Sequence, residues 1–155
     1  MKGYLVDVNH VSAHFNRNQS FHQKYRKIPA ETRFCLCAIT LGEIQASHEM
    51  TVSTNQDRRD KYKEFIIEQY LHNVIPIDAS TRIYFADILG RIWRKYPPPK
   101  EKRTDRHLID CGVDMNDVWL AACAFEHGFT ILTSDTMTCI RNVVAKEEVK
   151  FDCWV

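Results

Sequence analysis

Four acidic residues lie at points where the sequence pattern predicts that a strand ends or a helix begins: Asp7, Glu43, Asp117 and Asp135. Carboxylates brought within a few ångströms of one another in a partly dry crevice repel, by roughly a few kcal/mol per close pair. A hard divalent cation removes this conflict, and Mg²⁺ prefers oxygen ligands while keeping several of its waters. The four acids are therefore candidates for a site that holds Mg²⁺, or Mn²⁺, together with a phosphate group.

A simpler explanation competes for each acid, because the first turn of a helix favours acidic residues through capping and the helix dipole. Thr40-x-x-Glu43 has the form of a capping box, Asp117 falls in a predicted first turn, and Asp135 could cap the segment that follows it. Asp7, placed between an apolar strand and a helix with Asn9 beside it, is the hardest to explain by capping alone. Spacing by itself leaves both interpretations open.

The elements that must position these acids alternate along the chain. Short apolar segments typical of strands occur at 3–6, 33–39, 74–77, 129–132 and 149–153. Helical periodicity follows Asp7 and recurs at 18–27, within 53–71, at 80–96 and at 116–127, where Gly128 supplies a C-terminal cap. Such alternation predicts a parallel sheet covered by helices on both faces, with a functional crevice beyond the carboxyl ends of the strands.

Composition narrows the class of protein. A chain of 155 residues with 45% apolar content predicts a single domain over residues 1–155. Lys and Arg number 21 against 20 Asp and Glu, so any attraction to nucleic acid must come from local clustering. The first apolar segment is too short for a signal peptide and no run is long enough to span a membrane, which predicts a cytoplasmic protein with reduced cysteines.

Four short motifs in order resemble those of the PIN domain family, and the chain is similar to its VapC toxins. They are LVDVN at 5–9, AITLGEI at 38–44, NDVWLAA at 116–122 and TSD at 133–135. The resemblance implies a three-layer α/β/α sandwich with a mainly parallel central sheet of about five strands. It also implies a Mg²⁺-dependent endoribonuclease, the toxin of a VapBC-type toxin-antitoxin pair, which forms a homodimer and is inhibited by a cognate antitoxin.

The resemblance also implies roles for individual residues. Asp7 and Asp117 would be the principal metal ligands, with Glu43 and Asp135 completing the cluster directly or through water and Asp114 as a further outer ligand. Val8 departs from the family pattern, because a Thr or Ser hydroxyl is common there. Three polar residues remain available to support the site: Asn9, Thr40 and Thr133.

A basic segment between residues 97 and 114 is the candidate RNA-binding region. It carries Lys100, Lys102, Arg103 and Arg106, and its sequence predicts a loop beside the crevice. The competing interpretation is a solvated charge run offset by neighbouring acids. The aromatic side chains of Trp93 and Trp119 could stack on bases, but their helical spacing favours the core.

Two other groups of residues are weaker candidates for a functional role. His10 and His14 have the spacing of two zinc ligands on one helix face, although two ordinary histidines on a partly exposed helix are the preferred interpretation. Phe21, Tyr25 and Tyr62 could form an apolar interface, with core packing as the default.

Two further classes of function stay open. One is a PIN-like module that binds RNA or a protein without cutting it. The other is a magnesium-binding phosphoacceptor domain of receiver type, in which Asp78 would follow the third strand, although no accompanying lysine pattern is present.

Overall fold

The computed structural model describes residues 3–50, 55–99 and 106–155, and it contains a five-stranded parallel sheet. The strands are β1 (Tyr4–Val6), β2 (Phe34–Cys37), β3 (Val74–Ile75), β4 (Thr130–Leu132) and β5 (Lys150–Asp152). Their spatial order is β3-β2-β1-β4-β5, and every neighbouring pair is parallel. The predicted mainly parallel sheet of about five strands is confirmed.

Strand register aligns the strand ends on which the site depends. Leu5 is paired with Cys35 on one side and with Ile131 on the other, and Val6 is paired with Leu132. The carboxyl ends of β1 and β4 therefore lie next to each other, and the residues that follow them emerge at the same edge of the sheet.

Eight α-helices and one short 3-10 helix (Leu71–Asn73) of the described residues connect and cover the strands. The α-helices are α1 (Val8–Phe15), α2 (Gln19–Tyr25), α3 (Ala38–Met50), α4 (Gln56–Gln69), α5 (Thr81–Lys95), α6 (Arg106–Asp110), α7 (Met115–His127) and α8 (Thr138–Arg141). Gly128 ends α7 in the left-handed conformation at φ 64°, as the sequence predicts for a glycine cap.

Two apolar clusters, one on each face of the sheet, account for the layered architecture. Side chains alternate along a strand, so Leu5 packs on the face covered by α5 and α7, and Val6 packs on the face covered by α1 to α4. Both side chains are fully buried. The three-layer α/β/α sandwich expected from the sequence is therefore confirmed.

The segment predicted as a basic loop is partly helical. Residues 106–110 form α6, which contributes Leu108 to the apolar cluster on the face covered by α5 and α7. A five-residue helix with one buried apolar side chain has too weak a period to detect in a charged sequence. Lys100, Lys102 and Arg103 lie outside the described residues, and Arg106 is the first residue of α6.

The aromatic residues considered for an interface belong mainly to the interior. Phe21 is fully buried, while Tyr25 and Tyr62 are half-buried against the same apolar cluster. Core packing, the default interpretation for Phe21, is confirmed, because α2 turns this side chain toward Trp154 and His10.

The cysteines are all free thiols, and Cys35, Cys37 and Cys123 are buried, as the composition predicts. Within the described residues, the structure has no helix whose length and apolar character would suit it to crossing a bilayer.

Candidate active site

The reversal of strand order beside β1 creates the crevice. From β1 the chain proceeds to β2 and β3 on one side, and it then returns to place β4 on the other side of β1. The connections following β1 and β4 therefore diverge, which is where ligands bind in open parallel sheets. Asp7 directly follows β1, and Thr133, Ser134 and Asp135 follow β4.

Asp7 is held by three donors. One carboxylate oxygen accepts a hydrogen bond from the Val8 backbone N–H at 2.7 Å. The other accepts from the Thr133 hydroxyl at 2.7 Å and from the Asn9 amide at 3.2 Å. Burial raises the pKa of Asp7, and Asp135 raises it further, while the hydrogen bonds from Thr133, Val8 and Asn9 oppose that rise. The hydrogen bonds therefore hold the Asp7 side chain in one orientation, while burial and the charge of Asp135 disfavour its ionised form.

Asn9 joins the two strand ends. Its side-chain nitrogen lies 3.2 Å from a carboxylate oxygen of Asp7, 3.2 Å from one of Asp135 and 3.3 Å from the Thr133 hydroxyl. Its side-chain oxygen accepts a hydrogen bond from the Ser134 backbone N–H at 3.2 Å. Asn9 therefore supplies donors to the space between two carboxylates that would otherwise repel each other.

Glu43 approaches the crevice from the second turn of α3. One of its carboxylate oxygens accepts a hydrogen bond from the Asn116 side chain at 2.7 Å, which links α3 to the start of α7. Burial raises the pKa of Glu43, and the charges of Asp7, Asp114 and Asp135 contribute in the same direction. No role for Asn116 is predicted from the sequence, although its position beside Asp117 was the available signal.

Asp117 is the acid most affected by its surroundings. Burial is the largest cause that raises its pKa to about 7, and four neighbouring acids add to it: Asp114, Asp7, Asp135 and Glu43. Every other acid predicted for the site thus contributes to the raised pKa of Asp117, so the acids are electrostatically coupled. Asp117 in the metal-free protein therefore keeps its proton to a much higher pH than an ordinary aspartate does.

Helix capping explains only one of the four acids. Asp7 is the N-cap of α1, but α3 begins at Ala38, so Thr40 is its third residue and the capping-box interpretation of Thr40 and Glu43 is wrong. The N-cap of α7 is Asp114, and that of α8 is Met137. Asp117 lies in the first turn of α7, as the sequence predicts, so the helix dipole favours it there. Glu43, in the second turn of α3, and Asp135, ahead of α8, have neither a capping nor a first-turn explanation.

The two candidate hydroxyl residues differ in placement. Thr133 is fully buried and donates to Asp7, while its oxygen also accepts a hydrogen bond from the Asp135 backbone N–H at 3.0 Å. It supplies a hydroxyl at the acid cluster even though Val8 lacks one. Thr40 is buried in the first turn of α3.

The donor set suits a hard cation. The acids offer oxygen atoms only, and burial together with mutual repulsion raises the pKa values of Asp7, Glu43 and Asp117, so a positive charge would be favoured there. Within residues 3–50, 55–99 and 106–155, no three His, Cys, Asp or Glu side chains are grouped as direct ligands of one ion. Mg²⁺ is commonly held by one or two carboxylates plus waters and substrate phosphate, so the arrangement fits that cation.

The fold and these residues match a known family. A model of the PIN domain matches residues 4–144. The chain belongs to the PIN domain family. The match spans all five acids at the crevice, and thus the PIN domain motifs expected from the sequence lie within it.

Solved structures similar to this PIN domain come from toxin-antitoxin complexes. VapBC from Salmonella typhimurium, bound to DNA, matches with 18% identity over 100% of both chains and a TM-score of 0.71. VapBC2 from Rickettsia felis, bound to a DNA fragment from its promoter, matches with 14% identity over 98% of both chains and a TM-score of 0.70. VapBC-1 from nontypeable Haemophilus influenzae matches with 15% identity over 97% of both chains and a TM-score of 0.68. These likenesses establish a shared fold, and a search among curated proteins gave no match.

The structure assigns other roles to the alternative site residues. Asp78 accepts hydrogen bonds from the Ser80 and Thr81 backbone N–H groups, so it organises the start of α5 rather than the crevice. His10 is fully buried and His14 is half-buried in an aromatic cluster, which corrects the expectation of a partly exposed pair. Trp119 stacks on Phe85 with ring centroids 3.9 Å apart, in line with the preferred packing role.

Proposed function

We propose that this PIN domain is a Mg²⁺-dependent endoribonuclease and the toxin of a VapBC-type toxin-antitoxin pair. The observation that carries the proposal is the convergence of acids from four separate segments at the carboxyl edge of the parallel sheet. Family membership and the fold shared with VapBC complexes support a nuclease of the VapC type. Magnesium dependence and the choice of RNA rest on the chemistry of the acids and on the family resemblance.

In this proposal Asp7 and Asp117 are the principal metal ligands. Glu43 and Asp135 complete the coordination directly or through water, and Asp114 is an outer ligand. When bound, Mg²⁺ would polarise the scissile phosphate and lower the pKa of an attacking water. Asn9 and Thr133 hold the Asp7 carboxylate in one orientation, and Asn116 does the same for Glu43.

The raised pKa of Asp117 suggests a link between proton and cation. In the metal-free state this carboxyl group gains a proton near neutral pH, which relieves the repulsion among the acids. A divalent cation would displace that proton, because a ligand carboxylate must be ionised to bind it. Cleavage that depends on Mg²⁺ is therefore expected to increase as pH rises through about 7.

The same comparison supports a proposal about the partners of this protein. We propose a cognate antitoxin as the inhibitory partner and a homodimer as the active assembly, both in the cytoplasm, since the similar folds belong to VapBC toxin-antitoxin complexes. Co-expression with the protein encoded by the adjacent reading frame, followed by size-exclusion chromatography, would measure both associations.

The direct test is a cleavage assay on total RNA with Mg²⁺, with Mn²⁺ and with EDTA. Cleavage is expected with either cation and is expected to stop in EDTA. Asp78→Asn is a suitable control, because Asp78 also follows a strand but accepts hydrogen bonds from the Ser80 and Thr81 backbone N–H groups, a role that Asn performs nearly as well. Binding of RNA without any cleavage under all three conditions would instead favour a non-cleaving PIN-like module.

Neutralising the basic segment is expected to weaken RNA binding. Replacing Lys100, Lys102, Arg103 and Arg106 together by Gln should flatten the dependence of affinity on salt, because each lost phosphate contact lowers the slope of log K against log salt by about 0.7 for single strands. The measurement is a salt titration of RNA binding in Ca²⁺ or EDTA, where cleavage is suppressed.

A matched control neutralises four exposed cations on or beside α2 and α4: Arg26, Lys27, Lys61 and Lys63. This variant has the same change in net charge, so it separates local contact from general attraction. Equal slopes in the two variants would show that the segment is only a solvated charge run.

A further inference from the structure

The tautomer of a buried histidine is determined by its surroundings. His10 has no exposed surface, and its Nε2 lies 2.9 Å from the Trp154 backbone nitrogen. A backbone N–H can only donate, so Nε2 must be the unprotonated acceptor. The proton of the neutral ring therefore resides on Nδ1. Burial favours this neutral ring by lowering the pKa of His10 to about 4, with the charge on Lys24 acting in the same direction against Asp152 and Asp135.

The Nδ1–H group determines the orientation of the adjacent amide. Nδ1 lies 2.5 Å from the side-chain oxygen of Asn9, which also accepts the Ser134 backbone N–H at 3.2 Å. A rotation of the amide by 180° would place its NH₂ group against these two donors. The Asn9 nitrogen must therefore point the other way, toward Asp7, Thr133 and Asp135.

We infer that His10 is a positioning residue, which fixes the Asn9 amide between the carboxylates of Asp7 and Asp135. The inference rests on the proposed function, because the orientation of the Asn9 amide matters for activity only if the acids it faces form the cation site. The chain of contacts begins at the Trp154 backbone and passes through His10 to Asn9. The segment that follows the last strand thus defines the geometry at the first strand's end.

The C-terminal segment is held in place by contacts of its own, so it can determine the orientation of His10. Trp154 is buried against Tyr4, Phe21 and Phe34, and its indole N–H donates to Asp152 at 2.8 Å. Lys24 donates to the Cys153 carbonyl oxygen at 2.6 Å. The backbone N–H of Trp154 is consequently held in place independently of His10.

Two substitutions separate positioning from packing. His10→Leu fills the space without a donor or an acceptor, whereas His10→Gln can accept from Trp154 and donate to Asn9. His10→Leu is expected to reduce Mg²⁺-dependent RNA cleavage by about 10–100-fold and to raise the Mg²⁺ concentration needed for half-maximal rate. His10→Gln is expected to recover most of that loss. Rates are compared per folded molecule, at a temperature where circular dichroism shows each variant to be folded.

His14→Leu provides the matched control. His14 lies one turn further along α1, donates to or accepts from the Tyr70 hydroxyl at 2.8 Å, and packs among aromatic rings away from the acids. This variant is expected to have a lower Tm but an unchanged Mg²⁺ dependence. Equal losses of cleavage in His10→Leu and His14→Leu, without recovery in His10→Gln, would overturn the positioning role.

A spectroscopic measurement tests the geometry without cleavage. The imidazole ¹⁵N spectrum of the intact protein is expected to show His10 protonated on Nδ1 at neutral pH, and His10→Leu is expected to shift the Asn9 side-chain amide signals. A proton on Nε2, or unchanged Asn9 signals, would overturn the inference. If the wild type neither cleaves RNA nor responds to Mg²⁺, the proposed nuclease function fails, and these spectra still decide whether His10 orients Asn9.

Discussion

Asp117→Asn is expected to reduce RNA cleavage by at least about a hundredfold while the protein stays folded. The substitution removes one charged oxygen from the proposed cation site and leaves side-chain size almost unchanged. Loss of a preorganised group that stabilises charge in a reaction typically costs about 10²–10³ in rate. Asp7→Asn is expected to have a similar effect, since Asp7 is the other principal ligand in the proposal. Single-turnover cleavage of a fixed RNA at saturating Mg²⁺ measures both.

The same variants can be compared in cells. Expression of the wild type is expected to arrest growth, and expression of Asp7→Asn or Asp117→Asn is not. Asp57→Asn is a matched control, because Asp57 also lies in the first turn of a helix but is exposed and paired with Lys61. Variants of Asp7 and Asp117 that remain as toxic and as active as the wild type would refute the assignment of these residues.

The second large effect concerns stability, and its sign distinguishes a cation site from a helix-capping role. The pKa of Asp117 is raised to about 7 in the folded protein, from 3.8 for the unperturbed group. The folded state therefore holds a proton that the unfolded state has released between those two values. By linkage, the metal-free protein loses stability as pH rises from about 4 to above 7. Asp7 and Glu43, whose pKa values are also raised, act in the same direction.

Asp117→Asn is expected to remove much of this pH dependence. In EDTA at pH 8 the variant should be more stable than the wild type by about 0.5–2 kcal/mol, because one member of the repelling cluster is neutral. At pH 5 the difference should shrink, since Asp117 is then mainly protonated in the wild type. Thermal or urea unfolding at both pH values measures the change in free energy of unfolding.

Mg²⁺ provides the complementary measurement. At pH 8 it is expected to stabilise the wild type more than Asp117→Asn, because a ligand that binds only the folded state raises stability by mass action. Asp57→Asn should lose about 0.3–1 kcal/mol from the helix dipole and respond to Mg²⁺ like the wild type. A destabilised Asp117→Asn together with no Mg²⁺ response in the wild type would show that the acids are helix-stabilising residues and would disprove the cation site.

The sequence alone determined the order of elements and the candidate acids. Buried parallel strands such as β1 and β4 are short apolar runs because both of their faces are covered, and that pattern is local. The four acids were identifiable because each follows a strand or opens a helix, and because their motifs resemble one family. Helix α6 was not identifiable, since five residues with one buried leucine carry too little periodicity.

The tertiary structure decided which local explanations apply. Thr40 and Glu43 fit a capping box in the sequence, but α3 begins two residues earlier at Ala38, after β2 ends at Cys37. Helix boundaries depend on where the preceding strand stops pairing, and that pairing is made with distant segments. Capping could therefore not be separated from cation binding before the fold was known.

Only the tertiary structure could determine the roles of His10 and Asn116. The proton on His10 depends on the Trp154 backbone, which is brought next to α1 by the pairing of β5 with β4 and of β4 with β1. Asn116 meets Glu43 because α3 and the start of α7, which cover opposite faces, come together at the carboxyl edge of the sheet. A hydrogen bond between residues far apart in the chain leaves no periodic pattern in the sequence. The burial of one face of a helix or strand does leave such a pattern, because the buried side chains recur at a fixed local spacing.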